Sequence, residues 1–382
     1  MAVNARINMV YVANGNSSDL SVVDGARNRV AKTIRFEGFP TDVAVNTATN
    51  LVYVTTVNPD RLIVVDGDVN RVVASKAIRG DPYKVAVDEL RDRVFVASPG
   101  RRTVTVLDGA TLDEQGLIAS RGAATSQVDL NAAANPVYVG HGSSGIVDVV
   151  DGDTLQVLDT VKTPGGMTAL AVDSRTGTVF TASGGSNLVT VIDGGTNRVV
   201  RRVNLGPYPS DIAVDPVSGR AYVALQASSP SEGKSDPEHS GIGVIDTATN
   251  DVITNISVLG GPTAIAVNPE TGTVYVANTE SGKLAVIRSP AGTAEPEWVA
   301  VFETANDPND LDDETQRLLP ILRKALIVGP TGCEGIADEL GVRSNVYFLG
   351  AVAQTRRELD RAIEKADREP ILVVRTRPLC GF

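Results

Sequence analysis

A chain of 382 residues, 42% apolar and poor in aromatics, can bury one large core of Val, Ile, Leu and Ala and carry one small unit besides. Its net charge of −11 argues against nucleic acid as a partner, because phosphates call for clustered Lys and Arg. No apolar run approaches the ~18 residues of a membrane helix.

The opening MAVNARIN carries no signal-peptide pattern. The expectation is a cytoplasmic protein as written, or a secreted or periplasmic one if a leader has been removed. From there a repeat governs the chain. An aromatic opens the second strand of each unit at Tyr11, Tyr53, Phe95, Tyr138, Phe180, Tyr222 and Tyr275, at intervals of 42, 42, 43, 42, 42 and 53 residues. The unit is clearest over residues 40–78, which read as four short strands: Asp42–Val45, Leu51–Thr55, Leu62–Asp66 and Arg71–Ile78. Asn, Asp, Gly and Pro bound each of them. The first three are apolar on both faces and belong between sheets. The fourth mixes in polar residues, as an outer strand should.

Three residues before each aromatic stand Asn8, Asn50, Asp92, Asn135, Gly177, Gly219 and Gly272. These types tolerate a left-handed backbone and predict a tight turn in every unit. A second turn follows the third strand at Asp24-Gly25, Asp66-Gly67, Asp108-Gly109, Asp151-Gly152, Asp193-Gly194 and Asp246-Thr247. Four-stranded repeats of this length predict an all-β seven-bladed β-propeller over residues 1–303. The long interval in the sixth unit reflects an inserted loop, residues 226–241, expected to be mobile and to hang over the channel face. In the seventh unit the Asp-Gly turn is lost, so residues 297–303 are either its outer strand or the start of something new. Ring closure then rests on packing of the seventh blade against the first, with no strand exchanged.

Beyond an acidic, turn-rich linker the period stops. Residues 304–382 alternate helix and strand, with strands at Ala325–Gly329, Val346–Gly350 and Ile371–Arg375. The best helix is Arg356–Arg368, where Thr355 and Glu358 make a capping box. The alternation predicts a small C-terminal α/β domain with a parallel sheet. In it, residues 329–335 link strand to helix in a loop that can cradle phosphate, yet the loop lacks the Lys-Ser/Thr of a P-loop and reads better as a turn. Cys333 and Cys380 could pair, but two cysteines make no disulfide framework.

The sequences YVAN at 11–14, YVTT at 53–56, YVAN at 275–278, PSDIAVDP at 209–216 and VIDGGTNRVV at 191–200 resemble the YVTN family of seven-bladed propellers, which includes YncE-like proteins. The resemblance covers residues 1–303. It implies the fold and little about function, since members include surface, periplasmic and binding proteins and some relatives are enzymes.

Functional candidates follow from the faces of a ring. Loops after the second and fourth strands share the channel face, where ligands meet such folds by analogy. There the inner strands open with Asp42, Lys84, Gln127 and Asp211, and His239 lies in the insertion. These are the candidate ligand-binding residues. His141 and Asp129 break the repeat and are the candidate catalytic pair. His141 ends a second strand where other blades have Asn, Thr, Ser or Leu; the plainer reading is a His satisfied by Ser143 or Ser144. Asp129 replaces the Ala of Ala44, Ala86, Ala171, Ala213 and Ala266, and a carboxylate there must be paired or wet. Asp42 and Asp211 read equally as turn caps, and the Asp of each Asp-Gly turn reads as structural. The leading expectation is a binding scaffold that presents its channel face to a protein or small-molecule ligand. The alternative is a lyase or hydrolase at the channel mouth, with a divalent cation possible. No cofactor, metal site or membrane span is predicted.

Overall fold

The computed structural model describes residues 1–120, 124–226, 240–258 and 261–288, together with the strands Val299–Thr304, Ala325–Val328, Phe348–Ala351 and Val373–Val374. Seven antiparallel sheets, each with four strands from consecutive sequence, occupy residues 2–35, 39–77, 84–119, 125–162, 167–204, 209–257 and 262–304, and Val373–Val374 adds a fifth strand to the last. In each, the strands run from the axis outward in sequence order. Each innermost strand lies against the next, and the seventh lies against the first. The molecule is a seven-bladed β-propeller.

The local signals act where the sequence put them. All seven residues three places before the aromatics have positive φ, from 49° at Asp92 to 77° at Asn135. Asp24, Asp66, Asp108, Asp151, Asp193 and Asp246 each accept two backbone N–H bonds from the residues two and three places on. Those aspartates are turn builders, as expected from their repetition.

The core is not one cluster but seven layers, each shared by two blades. Tyr11, Leu20 and Val22 of blade one, for example, pack on Val43, Val52 and Val54 of blade two. The repeated aromatic lies at the base of each layer and is at most 5% exposed. The hydroxyls of Tyr11, Tyr53, Tyr138 and Tyr275 reach a turn of the next blade, whereas that of Tyr222 meets Arg220 and Ser218 of its own. Tyr53 donates to Gly109 O at 3.0 Å, and Tyr275 donates to Asn8 Oδ1 at 3.1 Å. In blade three the aromatic is Phe95 and has no hydroxyl. There Arg93 stacks over the ring at 5.6 Å from its centroid and donates to Gly152 O at 2.6 Å.

Ring closure follows the expected form. Val10 and Val23 of blade one pack on Tyr275, Leu284 and Val286 of blade seven, with no strand exchange. Val299–Thr304 pairs with Leu284–Ile287 and is the outer strand of blade seven. In the tail, Ala325–Val328 pairs antiparallel with Phe348–Ala351, where the helix–strand alternation predicted a parallel sheet. Val373–Val374 pairs instead with the outer strand of blade seven. The expected helix at 356–368, the 329–335 loop, both cysteines and most of the 226–241 insertion lie outside the described residues.

The dependence on glycine is local and testable. A methyl group on Gly67 would stand 2.6 Å from Asn50 Oδ1 and 2.7 Å from the Tyr11 hydroxyl, whereas one on Gly185 would meet nothing within 4 Å. Gly67→Ala is expected to cost about 1–3 kcal/mol, and Gly185→Ala less than half of that. Denaturant midpoints of the two variants check the contrast.

Candidate functional site

The seven innermost strands have a ladder partner on one side only, so their free backbone edges line the central channel. The channel holds about 340 Å³. Ala44, Ala86, Ala171, Ala213 and Ala266 line it, small side chains that converging strands can accommodate. An edge N–H that finds no strand needs water or a side chain.

Three carboxylates meet that need across blade boundaries. Asp42 Oδ2 accepts from Val85 N–H at 3.1 Å, Asp211 Oδ2 from Ile265 N–H at 2.9 Å, and Asp129 Oδ2 from Val172 N–H at 2.9 Å. Asp129 Oδ1 also accepts from Leu130 N–H at 2.8 Å. Asp42 and Asp211 are therefore not turn caps. Each ties its blade to the next, as the sequence periodicity alone could not show. Gln127 is buried and donates to Thr168 O at 2.8 Å, a fourth tie of the same kind.

Lys84 stands among these carboxylates, with its Nζ 3.7 Å from Asp42 Oδ1. Burial would lower its pKa, but Asp42, Asp211 and Asp129 outweigh burial and hold it above the usual lysine range. Asp129 goes the other way. It lines the channel half-buried, deep in the ring, and loss of solvation pushes its carboxyl up from 3.8 to about 6. The Leu130 and Val172 N–H groups and Lys84 pull against that rise, and Asp42 adds to it.

The structure does not bring Asp129 and His141 together. Asp129 pairs with Tyr138 in the ladder, and His141 lies three residues further along that strand, so the two side chains leave opposite faces of blade four. Asp129 faces blade five, where it meets Val172. His141 is 2% exposed and faces blade three. Its Nε2 lies 2.9 Å from Asp148 Oδ2, its Nδ1 lies 3.2 Å from Ser120 Oγ, and Thr160 Oγ1 donates to Asp148 Oδ1 at 2.8 Å. Ser144 reaches only the His141 carbonyl.

Asp148 is the partner that sequence reasoning missed, and a signal was there. On the third strand its position holds Ser21, Ile63, Thr105, Thr190 and Gly243 in other blades. The charge breaks the repeat in the same blade as His141. Blade one builds the same cross-strand pair from neutral residues, with Asn14 Nδ2 donating to Ser21 Oγ at 2.9 Å. The His141–Asp148 pair is thus a charged version of a bond the repeat already makes. Among the described residues no three of His, Cys, Asp and Glu converge as a metal would require. His239 lies outside the described residues.

Comparison with known proteins agrees with this architecture. Two solved structures share the fold alone. The chain is similar to the Kuenenia stuttgartiensis hydrazine synthase, with 16% identity, a TM-score of 0.65, and coverage of 76% of this chain and 94% of that one. It is also similar to a chain of the crystal structure of mitotic checkpoint complex, with 12% identity, a TM-score of 0.64 and coverage of 75% and 85%. A sequence model of the YNCE-like beta-propeller matches residues 5–217, more than half of the chain. The chain belongs to that family. No curated protein matches it.

Two outcomes are expected here. Asp148→Ala strands a buried imidazole and should cost about 3 kcal/mol, read from denaturant unfolding; Asp129→Ala, beside channel water that can take over its bonds, should cost less than half of that. The second concerns pH. The folded-state pKa of Asp129 lies above its ordinary value, so protonation favours the folded ring. That contribution is complete below pH 3.8 and lost as the pH rises through about 6. The melting temperature of the wild type, minus that of Asp129→Asn, should therefore fall between pH 4 and pH 7, and a flat difference would contradict the assignment.

Proposed function

We propose that the protein is a binding scaffold whose channel mouth receives a cationic group, either a small amine or a Lys or Arg side chain of a partner protein. The observation that carries this reading is the channel's charge: three carboxylates, Asp42, Asp129 and Asp211, with two ammoniums, Lys84 and the Met1 α-ammonium, each 3.7 Å from Asp42 Oδ1. Their sum is zero with Asp129 protonated and becomes negative once it ionises. Low-dielectric walls strengthen that field, and the net charge of the whole chain has the same sign.

The assignment of roles to single residues supports binding over acid–base chemistry. A general base and its acid partner must reach one substrate atom. Asp129 and His141 lie on opposite sides of a sheet. The alternative, a hydrolase, draws on one different observation: Ser120, His141 and Asp148 form a hydrogen-bonded chain. The imidazole of that chain is buried between blades three and four, and its geometry matches the neutral pair of blade one.

Calorimetric titration with primary amines, polyamines and short basic peptides at pH 5 and pH 7.5 tests the proposal. Binding is expected to be tighter at pH 7.5, because Asp129 ionises in between, and to weaken at least fivefold in Asp211→Asn. Binding that is indifferent to pH and to Asp211 would refute the cation site. Covalent labelling of Ser120 by an organophosphonate, lost in His141→Gln, would establish the hydrolase instead.

A further inference from the structure

At the end of the ring opposite the channel mouth, several seams between blades repeat one polar contact. Between blades one and two, Asn4 Nδ2 donates to Asn50 Oδ1 at 2.8 Å, and the Tyr11 hydroxyl reaches the same oxygen at 3.4 Å. Asn46 donates likewise to Asp92 Oδ1 at 3.1 Å, and Asn268 to Asn8 Oδ1 at 2.7 Å. Between blades five and six, three departures from the repeat fall together. The aromatic is Phe180 and has no hydroxyl, the turn residue is Gly219 and has no side chain, and Thr247 replaces the Gly of the Asp-Gly turn. The place of Asn4 is taken there by Asp173.

Asp173 is fully buried and keeps one carboxylate oxygen unused. Its Oδ1 accepts the N–H groups of Arg175 and Thr176 at 2.9 and 3.3 Å, whereas Oδ2 has no hydrogen-bond partner among the described residues. The two other aspartates at this position are satisfied. Asp88 Oδ2 accepts from Arg91 at 3.2 Å and from Arg93 at 3.3 Å, and Asp215 Oδ2 accepts from the Ser218 hydroxyl at 2.7 Å. Blade five has Thr178 where blade three has Arg93. Arg175 comes no nearer to Asp173 Oδ2 than 4.0 Å; its side chain is 56% exposed, and Pro216 O holds its Nε at 3.0 Å. The Thr247 hydroxyl is also buried and also lacks a partner among the described residues. A Cβ on Gly219 would stand 3.6 Å from Thr247 Oγ1 and 3.8 Å from the Arg175 guanidinium. Where the first seam holds a carboxamide, this one therefore presents a carboxylate oxygen and a hydroxyl, both unmet. Buried polar atoms in that condition are costly.

We infer that this seam is a binding site for a monovalent metal cation, sodium or potassium, held between Asp173 Oδ2 of blade five and Thr247 Oγ1 of blade six. Oxygen donors suit a hard cation, and a single carboxylate matches a single positive charge. Calcium and magnesium sites call for more carboxylates or a near-octahedral cage. A buried water would answer the two hydrogen bonds but leave the carboxylate's charge unbalanced. Arg175 balances it poorly, because it is half in solvent and beyond hydrogen-bond reach. The ion would clamp blade five to blade six, as the carboxamide does at the first seam, and Arg175 would compete with it. This site is separate from the channel mouth and does not rest on the cation reading there.

Thermal unfolding of the full chain in chloride salts of equal ionic strength tests the site. The melting temperature in sodium or potassium chloride at about 100 mM should exceed that in choline chloride by about 2 °C or more, and should saturate as one site does. Asp173→Asn restores the residue type that blades two and four carry as Asn46 and Asn131, so it should fold, and it should abolish the difference between salts. Thr247→Val should shrink that difference. Arg175→Gln should lower the half-saturating metal concentration about twofold or more, since a competing charge is removed. Equal melting temperatures in sodium, potassium and choline would overturn the proposal and assign the two oxygens to water. So would a metal effect that survives in Asp173→Asn, or a response to calcium without one to sodium or potassium. An Arg175→Gln variant destabilised equally in every salt would also count against it, because Arg175 would then be the structural partner of Asp173.

Discussion

Every sheet in this ring has an apolar face that only the next sheet can cover. A four-stranded blade of Val and Ile buries one side against its predecessor and one against its successor, so no blade is stable alone. The seven core layers are the direct result. The repeated aromatic anchors each layer because it is the largest group at the base of the wedge, and its hydroxyl fixes the neighbour's height. Where the hydroxyl is absent at Phe95, Arg93 supplies the same bond from above the ring.

The axis imposes the opposite demand. Seven strands converge there with one edge each unpaired, and the space admits little more than Ala. Polar groups near the axis therefore begin as solutions to a backbone problem. Asp42, Asp129 and Asp211 each satisfy an N–H of the following blade. Their charge is a consequence that binding can exploit. Residues that tie the blades together also give the channel a negative field once Asp129 ionises, and Lys84 and the Met1 ammonium temper it. This double role explains why two aspartates can look structural by repetition and still line the proposed site.

Blade one carries the cost of closure. The seam between blades seven and one has the smallest apolar layer among the described residues.

Much of this was legible in the sequence because it is periodic. The aromatics, the left-handed turn residues and the Asp-Gly pairs recur at fixed offsets, so local chemistry repeated seven times fixes blade number and strand order. The outer strand of blade seven could be narrowed to residues 297–303 but not decided, because the turn that marks it elsewhere is lost. Departures from the repeat were also legible: Asp129 and His141 stood out as isolated substitutions. What sequence could not give was which departures face one another. A strand alternates its faces, and a separation of three along the partner strand sends His141 to blade three and Asp129 to blade five. Only the packed ring sets Asp148 against the imidazole, draws Asp42, Asp129 and Asp211 around Lys84, and leaves Asp173 Oδ2 without a donor among the described residues, because those relations run between blades some forty residues apart and depend on how each wedge meets the next.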